Sequence, residues 1–306
     1  MSKLLVTGAS GLLGMNLALA ATEAGYQVTG WTNRRALVGT PFAAEQVDLT
    51  DLTGLPTRLS ALAPNLIIHC AALADIDQSE QNPEFAAKLN TQVAGVIARS
   101  ALELGARLVH ISTDAVFDGT TGDYRETDAP NPISVYARTK LEGETAVAEA
   151  NPAAIIARVN FYGWSPSGKH SLAEFFYNRL KAEQTVNGFT DVYFTPLYVG
   201  HLARILLQMA QQDLTGLYHV FSRQPISKYA FGVSLARQFE LDESLISPLS
   251  VHDSELAAAR SLNLSMNTDK LQAALDGDLP GELEGMQAFY ADWQAGLPAR
   301  LTSFVA

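Results

Sequence analysis

Over the first half of the chain, short apolar runs rich in Val, Ile and Leu alternate with longer stretches in which apolar residues recur at helical spacing. The pattern predicts strands at 4–7, 27–31, 66–70, 108–112 and 154–159. Helices are expected at 12–23, at 83–104 with Gly105 as its stop, and from about 135 onward. This is the rhythm of βαβ units, so the expected fold class is α/β, a Rossmann doubly wound parallel sheet occupying residues 1–163.

Beyond Gly163 the alternation weakens, and Ser165-Pro166-Ser167-Gly168 reads as a loop between lobes. Residues 164–306 are expected to form mainly a smaller carboxy-terminal substrate lobe, with a helix at 172–180 and a strand at 218–221. Some of its segments are expected to return to the first domain. No repeat at solenoid spacing interrupts the reading.

Composition narrows the functional classes. The 306 residues are 47% apolar and 17% charged, which is a core-forming balance. A formal charge of −11 repels polyanions, so nucleic acid is not an expected partner. The lone cysteine, Cys70, can form neither an internal disulfide nor a cysteine zinc site, which points to a reducing cytoplasm. Neither a signal peptide nor a bilayer-length apolar run is visible, and no membrane association is expected. The six histidines show no ligand spacing, so no metal is expected, and Asp75, Asp77 and Glu80 read as a solvated loop.

The first candidate chemistry is Gly8-Ala9-Ser10-Gly11-Leu12-Leu13-Gly14, placed where the first strand turns into the first helix. Glycines there allow a tight turn and close approach of backbone to a pyrophosphate, while the helix N-terminus offers amides and a positive dipole end. The second strand ends in Trp31-Thr32-Asn33-Arg34-Arg35 rather than in the acidic residue that would bind a ribose diol. Guanidinium groups clamp a phosphate dianion in a planar fork, so Asn33, Arg34 and Arg35 favour NADP(H) over NAD(H), unless the arginines are merely solvated. His69-Cys70-Ala71-Ala72 ends a strand in small residues that would let a cofactor lie against backbone. His69 and Cys70 themselves read as packing residues.

A second constellation follows. Tyr136 and Lys140 stand one helical turn apart on the same face, where an ammonium can stabilise a phenolate that otherwise forms only near pH 10. Ser112-Thr113-Asp114 closes the preceding strand and presents a hydroxyl at the carboxyl edge of the sheet. Thr113 is expected to hold a substrate carbonyl and Tyr136 to protonate it. Lys140 is expected to lower the tyrosine pKa and to bind the nicotinamide ribose.

The spacing Gly8/Gly11/Gly14, with Ser112-Thr113-Asp114 and Tyr136/Lys140, resembles the extended short-chain dehydrogenases/reductases over nearly the whole chain. The resemblance implies that Asp48, followed by Leu49, reaches the adenine edge, although an aspartate there can equally close a turn. It also implies that Asn90 is the helix asparagine of the cofactor site, although a polar residue within a helix can equally be structural. A nearer match comes from Ser112 to Gly119, Tyr124 to Asp128, Val135 to Glu144, and the later Tyr218-His219-Val220-Phe221 and Ser227-Lys228-Tyr229-Ala230-Phe231. These resemble the dTDP-4-dehydrorhamnose reductases, which reduce the C4 ketone of a nucleotide-linked 6-deoxysugar.

The implied activity is therefore NADP(H)-dependent reduction of a nucleotide-diphosphate keto-sugar, and the resemblance extends to a homodimer formed through helices flanking Tyr136. Against that pattern Ala115 replaces a tyrosine, Ala137 replaces a glycine, and Phe161 stands near the place of a tryptophan facing the sugar. Two alternatives share the scaffold: a nucleotide-sugar epimerase or dehydratase, and a non-catalytic NADP-binding protein similar to the regulatory subunit of methionine adenosyltransferase.

Overall fold

The computed structural model describes residues 1–253 and 261–305. The chain runs β1 (Lys3–Thr7), α1 (Leu12–Glu23), β2 (Gln27–Thr32), β3 (Ala43–Gln46), α2 (Leu55–Leu62), β4 (Leu66–His69) and α3 (Ile76–Gln81). Next come α4 (Pro83–Ala87), a wide π turn at Lys88–Gln92, α5 (Val93–Leu104), β5 (Arg107–Thr113), α6 (Val135–Ala150) and β6 (Ile155–Val159). The later half holds β7 (Phe161–Tyr162), α7 (Leu172–Lys181), β8 (Val186–Phe189), β9 (Tyr193–Phe194), β10 (Leu197–Tyr198) and α8 (Val199–Gln211). It continues with β11 (Gly216–Val220), β12 (Ile226–Ser227), α9 (Lys228–Gln238), β13 (Ile246–Leu249), β14 (Asn263–Leu264), α10 (Asp269–Leu275), α11 (Glu282–Gln294) and α12 (Leu297–Ser303).

Seven strands pair in the order β3-β2-β1-β4-β5-β6-β11, all in parallel. The chain reverses direction across the sheet between β1 and β4, and the crevice at such a switch point is where α/β sheets bind ligands. Alternation along β1 shows the two layers: Leu4 and Val6 join the core shared with α1 and α8, and Leu5 joins the core of α2, α5 and α6. Helix α1 is buried almost all round, from Leu12 to Ala21, because α8 covers the side that the sheet does not.

The strand anticipated at 218–221 is β11, which pairs with β6 at the far edge of the main sheet, and α8 packs on α1. Among the described residues the later half also carries α7, α9 and α11, and the short sheets include the three-stranded β12-β9-β14. The single helix expected at 83–104 is instead interrupted at Lys88–Gln92, where one extra residue per turn turns Asn90 toward α6. Among the described residues no helix is long and apolar enough to cross a membrane.

Candidate active site

At the carboxyl ends of β1, β2 and β4 lies a cavity of about 690 Å³. Gly8, Ser10, Gly11, Leu12, Leu13 and Gly14 form one wall, Asn33, Asp48 and Leu49 a second, and Cys70, Ala71 and Ala72 a third. The glycines are there for room. Gly8 has φ of 69°, and a Cβ on it would lie 2.9 Å from the Ala71 nitrogen; a Cβ on Gly14 would lie 2.2 Å from the Gly8 carbonyl oxygen. At the N-cap of α1 Gly11 offers no side chain to accept from the first-turn amides, and the turn carries no acidic residue. The loop is thus shaped for an anionic group on those amides, and the cavity walls fit a dinucleotide.

Arg34 and Arg35 follow Asn33 but do not line this cavity; both are exposed beyond its rim. Asp48 lines it and also closes a turn, its Oδ1 accepting from the Thr50 amide at 2.9 Å and the Thr50 hydroxyl at 2.7 Å, which holds the carboxyl below its ordinary value. Cys70 is half-buried at the wall, and burial pushes its thiol up to about 12, so it is not a thiolate. His69 behind it is buried and bonded through Nδ1 to the Thr7 hydroxyl at 2.7 Å; burial takes it down to about 3.

Asn90 does not face the cavity. Its amide is spent on protein: Oδ1 accepts from the Leu73 amide at 2.8 Å, while Nδ2 donates to the Leu73 carbonyl at 3.3 Å and to the Thr139 hydroxyl at 3.0 Å. It ties the cavity wall that follows β4 to helix α6. The acidic stretch of Asp75, Asp77 and Glu80 is exposed as expected but forms the cap and body of α3 instead of a loop. Asp75 caps α3 by accepting from Gln78, and Glu80 accepts from the Val135 amide at 2.7 Å, which fixes the start of α6 one residue before Tyr136.

Thr113, Asp114 and Tyr136 meet at the carboxyl end of β5. The Thr113 hydroxyl donates to Asp114 Oδ1 at 3.1 Å and accepts from the Ala115 amide at 3.2 Å. Burial pushes the Asp114 carboxyl up to about 6, although Asn160 Nδ2 donates to it at 2.6 Å. The Tyr136 phenol is pushed up to about 12, first by burial and further by the negative charge of Asp114, with the Thr113 hydroxyl pulling the other way. The expectation that Lys140 lowers this phenol is not met. Its ammonium is directed at the Ile111 carbonyl, 2.6 Å away, and burial brings it down to about 8.

The loop before α6 is ordered by Asp118, whose carboxylate accepts from the Thr120 amide, the Tyr124 hydroxyl and Asn131, and is held far below the ordinary range by them. Ile111, two residues before Thr113 on β5, lines the cavity together with Phe161 and His170, whereas Thr113, Tyr136 and Lys140 are not among its lining residues. Sequence reasoning missed His170. Its loop is fastened by the buried Glu174, which accepts from the Ser165, His170 and Ser171 amides at 2.6, 2.7 and 3.1 Å. A Ser-x-x-Glu capping box, Ser171 to Glu174, was the available signal.

Sheet order, switch-point cavity, glycine loop and the meeting of Thr113 with Tyr136 together define the class of the extended short-chain dehydrogenases/reductases. More narrowly, the chain belongs to the RmlD substrate binding domain family, whose model matches residues 2–294. It is 33% identical over 298 residues to a probable low-salt glycan biosynthesis reductase of Haloferax volcanii, covering 95% of this chain and 99% of that protein. It is also 31% identical over 278 residues to the methionine adenosyltransferase 2 subunit beta of Bos taurus, covering 88% of this chain and 81% of the other. Among solved structures, the dTDP-4-dehydrorhamnose reductase of Bacillus anthracis in complex with NADP superposes with a TM-score of 0.84 at 26% identity, covering 95% of this chain and 100% of that one.

Proposed function

We propose that this protein reduces the ketone of a nucleotide-diphosphate keto-sugar with NADPH in preference to NADH, in the manner of a dTDP-4-dehydrorhamnose reductase. The observation that carries the reading is the meeting of Thr113 and Tyr136 beside a dinucleotide-sized cavity, with the phenol protonated at neutral pH. A general acid for carbonyl reduction has to hold its proton until the oxygen gains charge, and a phenol raised by burial does so.

A bound nicotinamide supplies the hydride. Gly8, Ser10, Gly11, Leu12, Leu13 and Gly14 would bind the pyrophosphate through backbone amides, Asp48 and Leu49 would flank the adenine, and Cys70, Ala71 and Ala72 would floor the nicotinamide half. Asn33, Arg34 and Arg35 would take the 2′-phosphate, the arginines swinging in from the rim. At the reacting end Thr113 would donate to the ketone oxygen and Tyr136 would give it a proton, while the Lys140 ammonium would turn from the Ile111 carbonyl to hold the ribose. Asn90 supports this site at one remove, through Leu73 and Thr139. Residues 1–163 would then carry the cofactor and most of 164–306 the sugar, with Phe161 and His170 at the seam.

NADPH deuterated at nicotinamide C4, incubated with a nucleotide-linked 4-keto-6-deoxysugar, tests the reading. Deuterium on the sugar's C4 and stoichiometric NADP⁺ support it. Interconversion of sugars by protein carrying a permanently bound dinucleotide would assign an epimerase or dehydratase instead.

The likeness to methionine adenosyltransferase 2 subunit beta favours one second reading, a regulatory subunit that binds the dinucleotide without turnover. The fuller coverage of the glycan biosynthesis reductase speaks for the enzyme. Co-purification as a stable hetero-oligomer, with no NADPH oxidation, would decide for the subunit.

A further inference from the structure

Beneath α6 the sheet carries two rows of buried polar side chains. In the first, Thr7, His69 and His110 are register partners on β1, β4 and β5, and both nitrogens of His110 have no hydrogen-bond partner among the described residues. One rung further along the same face, Ser112, Arg158 and His219 are register partners on β5, β6 and β11. Glu144 reaches down from α6 onto this second row. Its Oε1 accepts from Ser112 at 2.5 Å and from Arg158 Nε at 2.9 Å, and its Oε2 accepts from Arg158 Nη2 at 2.8 Å. All three residues are buried. Arg158 is braced in turn by the Phe117 ring, 5.0 Å from its guanidinium carbon, and by His219, 3.4 Å from Nη1.

A buried ion pair is a weak way to hold a helix on a sheet, because the desolvation of both charges offsets most of their attraction and apolar residues would do as well. Its position suggests another use. Tyr136, Lys140 and Glu144 follow one another at successive turns, so the clamped carboxylate stands one turn from the buried ammonium. The other titratable groups facing Lys140 are Tyr136 on its own helix, His69 and Cys70 at the end of β4, and His110 on β5. None of these is an anion at neutral pH, so Glu144 is the neighbour that keeps the ammonium charged against burial.

We infer that Glu144 is a positioning residue for the Tyr136–Lys140 pair: clamped by Ser112 and Arg158, it fixes α6 in register on the sheet and holds Lys140 in its charged form. The inference deepens the proposed reductase reading and rests on it for its catalytic meaning. The lysine can nevertheless be read directly, without turnover.

The experiment is an NMR pH titration of protein carrying ¹³C at lysine Cε, with the Lys140 signal identified by its loss in Lys140→Arg. In Glu144→Gln the Lys140 midpoint should fall by about one pH unit, the scale of losing an opposite charge a few ångströms away. Glu144→Gln leaves Arg158 unpaired, so Glu144→Gln with Arg158→Met, which buries no lone charge, keeps the test available should the single variant not fold. Its midpoint should fall likewise, because the same carboxylate is gone. In an NADPH-oxidation assay the alkaline limb of kcat/KM should move down in step with the NMR midpoint. A Lys140 midpoint unchanged from wild type in the folded variants, or a uniform loss of kcat with the limb unmoved, would overturn the inference. Failure of the reductase reading alone would leave the NMR shift in place without any activity to compare.

Discussion

The side-chain amide of Asn90 holds the backbone of Leu73 in both directions, accepting from its amide at 2.8 Å and donating to its carbonyl at 3.3 Å. With the further bond to Thr139, one buried side chain fastens the cavity wall after β4 to the helix that carries Tyr136 and Lys140. Asn90→Leu keeps the volume and removes all three bonds. Stranding the buried partners should cost about 3 kcal/mol in urea unfolding. NADPH affinity should fall with it, because Leu73 lines the cavity. Weaker NADPH binding at unchanged stability would instead make Asn90 a direct cofactor contact.

Two glycines separate steric need from conformational preference. Gly14→Ala drives a Cβ to 2.2 Å from the Gly8 carbonyl oxygen, backbone against backbone, and should cost more than about 3 kcal/mol or abolish folding. Gly25, with φ of 85° and open space around it, should cost only about 1 kcal/mol as Ala. Equal losses in thermal melts of the two variants would contradict the close packing of the glycine loop.

Asp114 makes stability depend on pH in a defined direction. Its folded value of about 6 lies above the ordinary 3.8, so the fold favours the neutral acid. No penalty exists below the unfolded value. Stability is lost as pH rises from there to about 6, reaching a plateau on the order of 3 kcal/mol. Asp114→Asn should therefore flatten this slope and be more stable than wild type near neutrality. Parallel urea curves for the two proteins across that range would show that the carboxyl is not desolvated.

Arg34→Gln with Arg35→Gln should weaken NADPH binding by about tenfold or more, the worth of charge-assisted bonds to a phosphate, and leave NADH binding unaltered. Titration calorimetry with both dinucleotides reads the difference. Equal weakening of the two would place the arginines away from the 2′-phosphate.

Much of this architecture was legible because parallel strands buried on both faces and amphipathic helices write distinct periods. Gly8 to Gly14 and Tyr136/Lys140 were legible because backbone approach and helix spacing are local constraints. What escaped was non-local. The π turn that aims Asn90 at Leu73 has no one-dimensional signature, and Glu80 reaches the start of α6 across 55 positions of sequence. The Ser112–Glu144–Arg158 cluster exists only once β5, β6 and α6 are assembled. The direction of the Tyr136 shift escaped for a related reason: spacing places Lys140 one turn away, but the assembled fold buries the phenol and directs the ammonium at the Ile111 carbonyl.

The most direct measurement follows NADPH absorbance in the presence of a nucleotide-linked 4-keto-6-deoxysugar, with wild type and Tyr136→Phe side by side. Oxidation by wild type, reduced by about 10²- to 10⁴-fold in the variant with NADPH affinity retained, is the predicted result for a residue that protonates the ketone. Equal rates in the two proteins would contradict the account.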